Sequence, residues 1–253
     1  MAISVDACVA QHQGDRAEQQ DRVALLPHPR GGGVALAVVA DGMGGHTGGV
    51  LAAQQVIHTS RNNLETFSLR TDDPRSMLEA SMSEAHMLIK ASRFINEKDP
   101  HSTAVMLLLQ PGKVTWAHCG DSRLYRYHEG QLSFRTTDHS YVEQLLSSGK
   151  ITAEQAATHS KRNILLTSLG GSEPPRIDFG MADDLHGGDS FILCSDGLWG
   201  YFTDAELGQV VASHSARESC NKLISLARAR GKGGGDNISV VVLKLLEVQE
   251  KKK

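Results

Sequence analysis

No apolar run in this sequence is long enough to cross a membrane. The longest, Val34 to Ala40, falls far short of the roughly 20 residues a spanning helix needs. The start, MAISVDACVAQ, carries an early acid at Asp6 and no basic cluster, so it is not expected to act as a secretory leader. Cysteine is sparse: Cys8, Cys119, Cys194 and Cys220 stand far apart, which excludes a zinc knuckle or a vicinal redox pair. Free thiols in a chain long enough to build a core without disulfides point to a reducing, cytoplasmic setting. Charge is nearly balanced, at −3 over 253 residues, so the basic excess that nucleic-acid binding needs is missing. Lys251, Lys252 and Lys253 form the only charge run, which a solvated terminus explains. Internal repeats and low-complexity linkers are absent, and residues 1–253 read as a single domain.

Two periodicities are present. VALAVVA (Val34 to Ala40) is a Val-rich strand pattern buried on both faces. AVMLLL (Ala104 to Leu109) and VTWAHC (Val114 to Cys119) flank a Pro-Gly turn, and RLYRY (Arg123 to Tyr127) and QLSF (Gln131 to Phe134) flank Glu129-Gly130, so two hairpins are expected. FILC (Phe191 to Cys194) and ISVVVLKLL (Ile238 to Leu246) complete the strand set. Met77, Leu78, Ser81, Met82, Ala85, Leu88 and Ile89 follow helical spacing behind cap chemistry at Asp72, Asp73 and Pro74. Val50, Ala53, Val56 and Ile57 make a second helical face; Cys220, Leu223, Ile224 and Ala227 make a third. Helices in blocks with hairpins between them predict an α+β layered domain rather than a βαβ alternation.

Three acids sit beside these strands. Asp41 follows one in VVADGMGGH, Asp196 follows another in ILCSDGLWG, and Asp236 precedes a third in GGGDNISVVV. A lone Asp-Gly is ordinarily a turn. Recurrence at strand ends changes the reading, because clustered acids repel unless a cation joins them. Oxygen donors favour Mg²⁺ or Mn²⁺ over zinc, and the Gly42 carbonyl, unhindered by a side chain, can add a ligand. Two such ions, ~3.5–4 Å apart, can turn a bridging water into a nucleophile. Arg16 precedes Asp21 by five residues and has the shape to grip a phosphate. Asp121, in HCGDSRLYRY, is by itself a plain turn.

Taken in order, GDRAEQQD, VVADGMGGH, GDSR, TDHSYVEQLLSSGKITAEQA with RNILLTSLG, CSDGLWGY and GGGDNISVVV resemble the blocks of the type 2C (PPM) metal-dependent protein phosphatases, in their bacterial form. The match runs from about Gly14 to Leu243. The resemblance implies a four-layer α/β/β/α sandwich of two packed antiparallel sheets, with a flap-like segment around 138–169. It implies hydrolysis of phosphoserine and phosphothreonine on proteins by a metal-activated bridging water. Asp41 would bridge two Mn²⁺ or Mg²⁺ ions, the Gly42 carbonyl would bind one, and Asp196 and Asp236 would hold the other. Asp21 would support the site through water, Asp121 with Asp196 would hold a third, weaker ion, and Arg16 would clamp the phosphate. Ser160, with Ser140 and Asn163, is a candidate substrate contact in the flap. Phosphorylated proteins, and the Ser/Thr kinase that modifies them, are the implied partners.

The sequence departs from the family pattern at Gln19, where Asn is frequent, and at Met43, where many eukaryotic members carry His. His46 is a nearby alternative proton donor, and His101-Ser102-Thr103 stands where relatives usually carry Gly. Rival chemistries fit less well. His118-Cys119 lacks the correctly spaced Arg of a cysteine phosphatase, since Tyr125 stands there and Arg126 is one place too far. Gly231-Lys232-Gly233 lacks the Ser or Thr of a P-loop, and Gly42-Met43-Gly44 reaches Thr47 where a dinucleotide loop needs Gly. A phosphoprotein-binding module without turnover is the alternative from another class.

Overall fold

The computed structural model describes residues 3–44, 47–96 and 99–248. In chain order its elements are β1 (Ile3–His12), β2 (Arg22–Pro27), β3 (Ala35–Ala40), β4 (Gly42–Met43), α1 (Thr47–Thr66) and α2 (Pro74–Asn96). Next come β5 (His101–Ser102), β6 (Ala104–Gln110), β7 (Lys113–Cys119), β8 (Arg123–His128), β9 (Gln131–Arg135), α3 (Tyr141–Ser147) and α4 (Ala153–Ala157). The last are β10 (Asp178–Ala182), β11 (Asp189–Cys194), α5 (Asp196–Trp199), α6 (Asp204–Ser213), α7 (Ala216–Gly231) and β12 (Ile238–Glu247). One sheet runs β1-β12-β11-β8-β9, a second runs β10-β7-β6-β3-β2, and β4 pairs with β5 in a small ladder of its own. All these pairings are antiparallel.

The period-two alternation of the strands divides the core into three layers. Leu36, Val38, Met106 and Leu108 turn outward to pack with Val56, Leu78 and Met82 of α1 and α2. Their chain neighbours Ala37, Val39, Val105 and Leu107 turn inward against Phe191, Leu193, Val241 and Leu243 of the other sheet. The outer face of that other sheet, through Ile192, Val240 and Val242, packs on Leu207, Cys220 and Leu223 of α6 and α7. The expected sandwich of two sheets flanked by helices is the observed one. Strands such as β6 and β11, buried at every position, carry unbroken apolar runs because both faces are covered. The β8–β9 hairpin closes through Glu129 and Gly130, both at positive φ (48° and 84°), the combination a tight hairpin turn demands.

Three strands of the two large sheets, and the short β4–β5 ladder, were not anticipated. β1 pairs with β12 along its whole length, Ile3 with Glu247 through to His12 with Ile238. It is an edge strand with mostly exposed side chains, and only Asp6, Cys8 and Ala10 are half-buried, so its apolar alternation is faint. β2 and β10 are likewise edge strands, with few fully buried residues. Among the described residues no helix is long and apolar enough to cross a membrane.

Register brings the sequence-distant acids to one end of the sandwich. Arg22 pairs with Ala40, placing Asp21 beside Asp41. Ala104 pairs with Cys119, Arg123 with Cys194 and Cys194 with Val240, so the turn holding Asp121, the end of β11 at Asp196 and the start of β12 after Asp236 share that rim.

Candidate active site

Each acid is aimed by a local anchor. Asp41 leaves β3 and is locked to the 103 position: its N–H donates to Thr103 Oγ1 at 3.1 Å and its carbonyl accepts Thr103 N–H at 2.9 Å. Ser102 Oγ donates to the same carbonyl at 3.1 Å. The polar 101–103 stretch, unaccounted for in sequence, is thus the brace of the first acid. His101 is pinned behind it by Arg93 (2.9 Å), Ser168 (3.0 Å) and Asp99 (3.1 Å). Asp21 is buried and accepts the Ser195 hydroxyl at 2.7 Å. Asn237 holds the opening loop to this rim, accepting Gln20 N–H at 2.7 Å and donating to the carbonyls of Gln13 and Glu18 at 2.7 and 2.9 Å. Trp199 Nε1–H donates to the Asp121 carbonyl at 2.9 Å. A Cβ on Gly42 would lie 2.0 Å from the Gly49 carbonyl oxygen and 2.7 Å from that of Gln20, so only glycine fits beside Asp41.

The five acids converge. Burial pushes the Asp41 carboxyl well above the ordinary carboxylate range, and the charges of Asp21, Asp196, Asp121 and Asp236 push it further. Burial, then Asp196 and Asp138, do the same to Asp121. Burial lifts Asp21 to about 7, with the Ser195 hydroxyl pulling the other way. Burial and then Asp236 lift Asp196 to about 6, and Asp41 lies close enough to hydrogen-bond with it. Arg16 brings positive charge to this rim: its Nη2 donates to Asp236 Oδ2 at 2.6 Å, with the Arg16 side chain 61% exposed. A set of buried oxygen donors that repel one another fits hard divalent cations, which relieve the repulsion; softer metals would want nitrogen or sulfur.

Asp41, Gly42, Met43, Asp121, Asp196, Asp236 and Arg16 line a cavity of about 450 Å³. It adjoins a groove of about 550 Å³ between the 138–169 segment and the Trp199–Phe202 loop. Asn163 reaches both spaces, and Ser140 and Arg162 line the groove. Ser160 lines neither and is exposed; the turn that presents Asn163 carries it outward. Asp21 sits behind the cavity wall rather than in it. His46 lies outside the described residues. Cys119 is buried in the core beneath α1 and α2, and burial holds its thiol up at about 12, so it offers no nucleophile. Sequence reading missed Arg123, which is partly buried, bonds Asp138 through two contacts of 2.7 Å and stacks on Trp199 with its guanidinium carbon 3.5 Å from the ring centre. GDSR contains it, yet nothing local to that motif reveals the acid it meets.

Residues 10–230 match the profile of protein phosphatase 2C. The chain belongs to that family. A 2C-type protein phosphatase sequence of Streptococcus pyogenes is 31% identical over 246 residues, covering 96% of this chain and 97% of its own. The solved serine/threonine phosphatase of S. agalactiae superposes with a TM-score of 0.88 at 27% identity, over 96% of this chain and all of that one. The catalytic domain of the serine/threonine phosphatase PstP, solved with two manganese ions, gives 0.82 at 28% identity, over 97% and 100%. Asp21, Asp41, Asp121 and Asp196 fall inside the family match, while Asp236 and β12 lie just beyond its end.

Proposed function

We propose that this chain removes phosphate from phosphoserine and phosphothreonine on proteins at the acid-lined cavity. The observation that carries the reading is the convergence of Asp21, Asp41, Asp121, Asp196 and Asp236 at one rim with the exposed Arg16 beside them. Asp41, Asp196, Asp236 and the Gly42 carbonyl would hold two divalent cations, Mn²⁺ or Mg²⁺, with Asp21 supporting from behind and Asp121 with Asp196 able to take a third. When bound, the cations supply charge neutralisation and a water acidic enough to attack at neutral pH. The protein's own part is positional. Arg16, tethered at one nitrogen by Asp236, has further N–H groups to present to a phosphate oxygen. The Thr103 and Ser195 braces fix carboxylates before substrate arrives, so little reorganisation is needed. Met43 lines the cavity and has no proton to give, so the departing alkoxide must take its proton from another donor.

Segment 138–169 acts in this reading as a flap beside substrate, with Asn163 and Arg162 in place of Ser160 as its contacts. A protein Ser/Thr kinase is the class of enzyme that must make the substrate, and the four free thiols suit a cytoplasmic setting. The test is phosphate release from a phosphothreonine peptide and from p-nitrophenyl phosphate, with Mn²⁺ and with EDTA. Hydrolysis that needs the metal and leaves no phosphate on the protein is expected. Hydrolysis that survives EDTA would end the metal assignment, and peptide binding without turnover would mark a non-catalytic module.

A further inference from the structure

A second group of metal-ligating side chains lies away from the acid rim. His118 on β7, Asp178 on β10 and His139, just ahead of α3, each offer a ligand atom, and these atoms all fall within 4.8 Å of one another. His118 and Asp178 are register partners across the β7–β10 ladder, while His139 comes from the chain that leaves β9 for the flap. Both imidazoles are buried and stack with centroids 4.6 Å apart. We propose that His118, His139 and Asp178 form a binding site for a borderline divalent transition metal, zinc above all, which ties the root of the flap to the second sheet.

Four observations support this assignment. The donor set, two nitrogens and a carboxylate oxygen, is what such ions prefer and what Mg²⁺ does not. His118 Nε2–H donates to the Thr137 carbonyl at 2.9 Å, which leaves Nδ1 as a lone pair, and that Nδ1 is buried without a partner. A metal-bound histidine uses its other nitrogen in just this way. His139 Nε2 lies 3.2 Å from Asp178 Oδ2, close to the ~3.3 Å that separates two ligands of a tetrahedral ion at zinc distances. Both rings are buried, which keeps bulk water from competing for their ligating nitrogens.

Two contacts compete with the metal. Arg176 grips Asp178 through Nε (3.0 Å) and Nη2 (2.7 Å), and its side chain is 65% exposed. His139 Nδ1 accepts Gly120 N–H at 3.3 Å, so coordination at Nε2 must shift the ring proton to Nδ1 and give up that long bond. The site is therefore weaker than a closed structural zinc site. It also reaches the catalytic rim, because Gly120 precedes Asp121 and the Gly120 carbonyl accepts His139 N–H at 2.9 Å.

The experiment is Zn²⁺ titration calorimetry on the whole chain in excess Mg²⁺, with the pulsed EPR spectrum of one added equivalent of Cu²⁺ as a reporter of imidazole nitrogen. His118→Asn and Asp178→Asn should each weaken zinc by at least about tenfold, and His118→Asn should change the nitrogen modulation. Arg176→Ala should tighten zinc, since it removes the competing guanidinium. Asp236→Asn should leave this event in place, which separates it from the acid rim and from the proposed phosphatase reading. Zinc affinity that ignores both Asp178→Asn and Arg176→Ala would overturn the proposal, as would copper without nitrogen coupling. Asp178 and Arg176 are partly exposed, so these two variants decide the matter even where His118→Asn does not fold.

Discussion

Arg16 and Asp236 show how a single contact divides binding from architecture. The guanidinium is mostly exposed, so its bond to Asp236 contributes little to stability, and its value lies in the nitrogens that bond leaves free. Charge-assisted bonds of this kind are worth about 1.5–3 kcal/mol. Arg16→Ala should therefore lower kcat/KM on p-nitrophenyl phosphate by roughly 10–100-fold with little change in Tm. Asp236→Asn removes a proposed cation ligand, and its Mn²⁺-dependent rate should drop more than about a hundredfold. An Asp236→Asn protein that kept its rate at ordinary Mn²⁺ concentrations would contradict the placement of a cation at this carboxylate.

The helices differ in what holds them. Ser215 opens α7 with a capping box, its hydroxyl accepting Glu218 N–H at 3.3 Å while Glu218 Oε2 accepts Ser215 N–H at 3.0 Å. Ser215→Ala should cost about 1 kcal/mol, seen as a fall in Tm of roughly 2–4 °C, with activity unchanged because Ser215 caps the end of α7 beside Asp6, away from the acid rim. In contrast, α4 has no buried residue, whereas β11 is buried throughout. Its amides should exchange with solvent far faster than those of β11 in a hydrogen-exchange experiment. Equal protection of the two would show that the 138–169 segment does not open on its own.

At the scale of the whole molecule, the sandwich spends stability to gather charge. Asp21 and Asp196 hold their carboxyls near 7 and 6, chiefly through burial, against about 3.9 in an unfolded chain. A raised carboxyl binds protons better when folded, so its stabilising share is complete below pH ~4 and is lost as pH rises through 6 to 7. In EDTA the protein should melt at a lower temperature at pH 8 than at pH 6, and added Mn²⁺ should reverse the trend. A Tm independent of pH in EDTA would mean that these carboxyls are less buried and less crowded than the fold places them. Chain-local chemistry was enough to expose the buried strands, the hairpin turns, the three longest helices and the acids beside Gly, because alternation, turn residues and helical spacing act over a few residues. The edge strands β1, β2 and β10 escaped, since exposure on one side dilutes that signal. Thr103 under Asp41, Ser195 under Asp21, Asp138 against Arg123 and the His118–His139–Asp178 group were settled only by tertiary structure. Each joins residues whose separation along the chain says nothing of their distance, and strand register together with the loops at the strand ends brought them together.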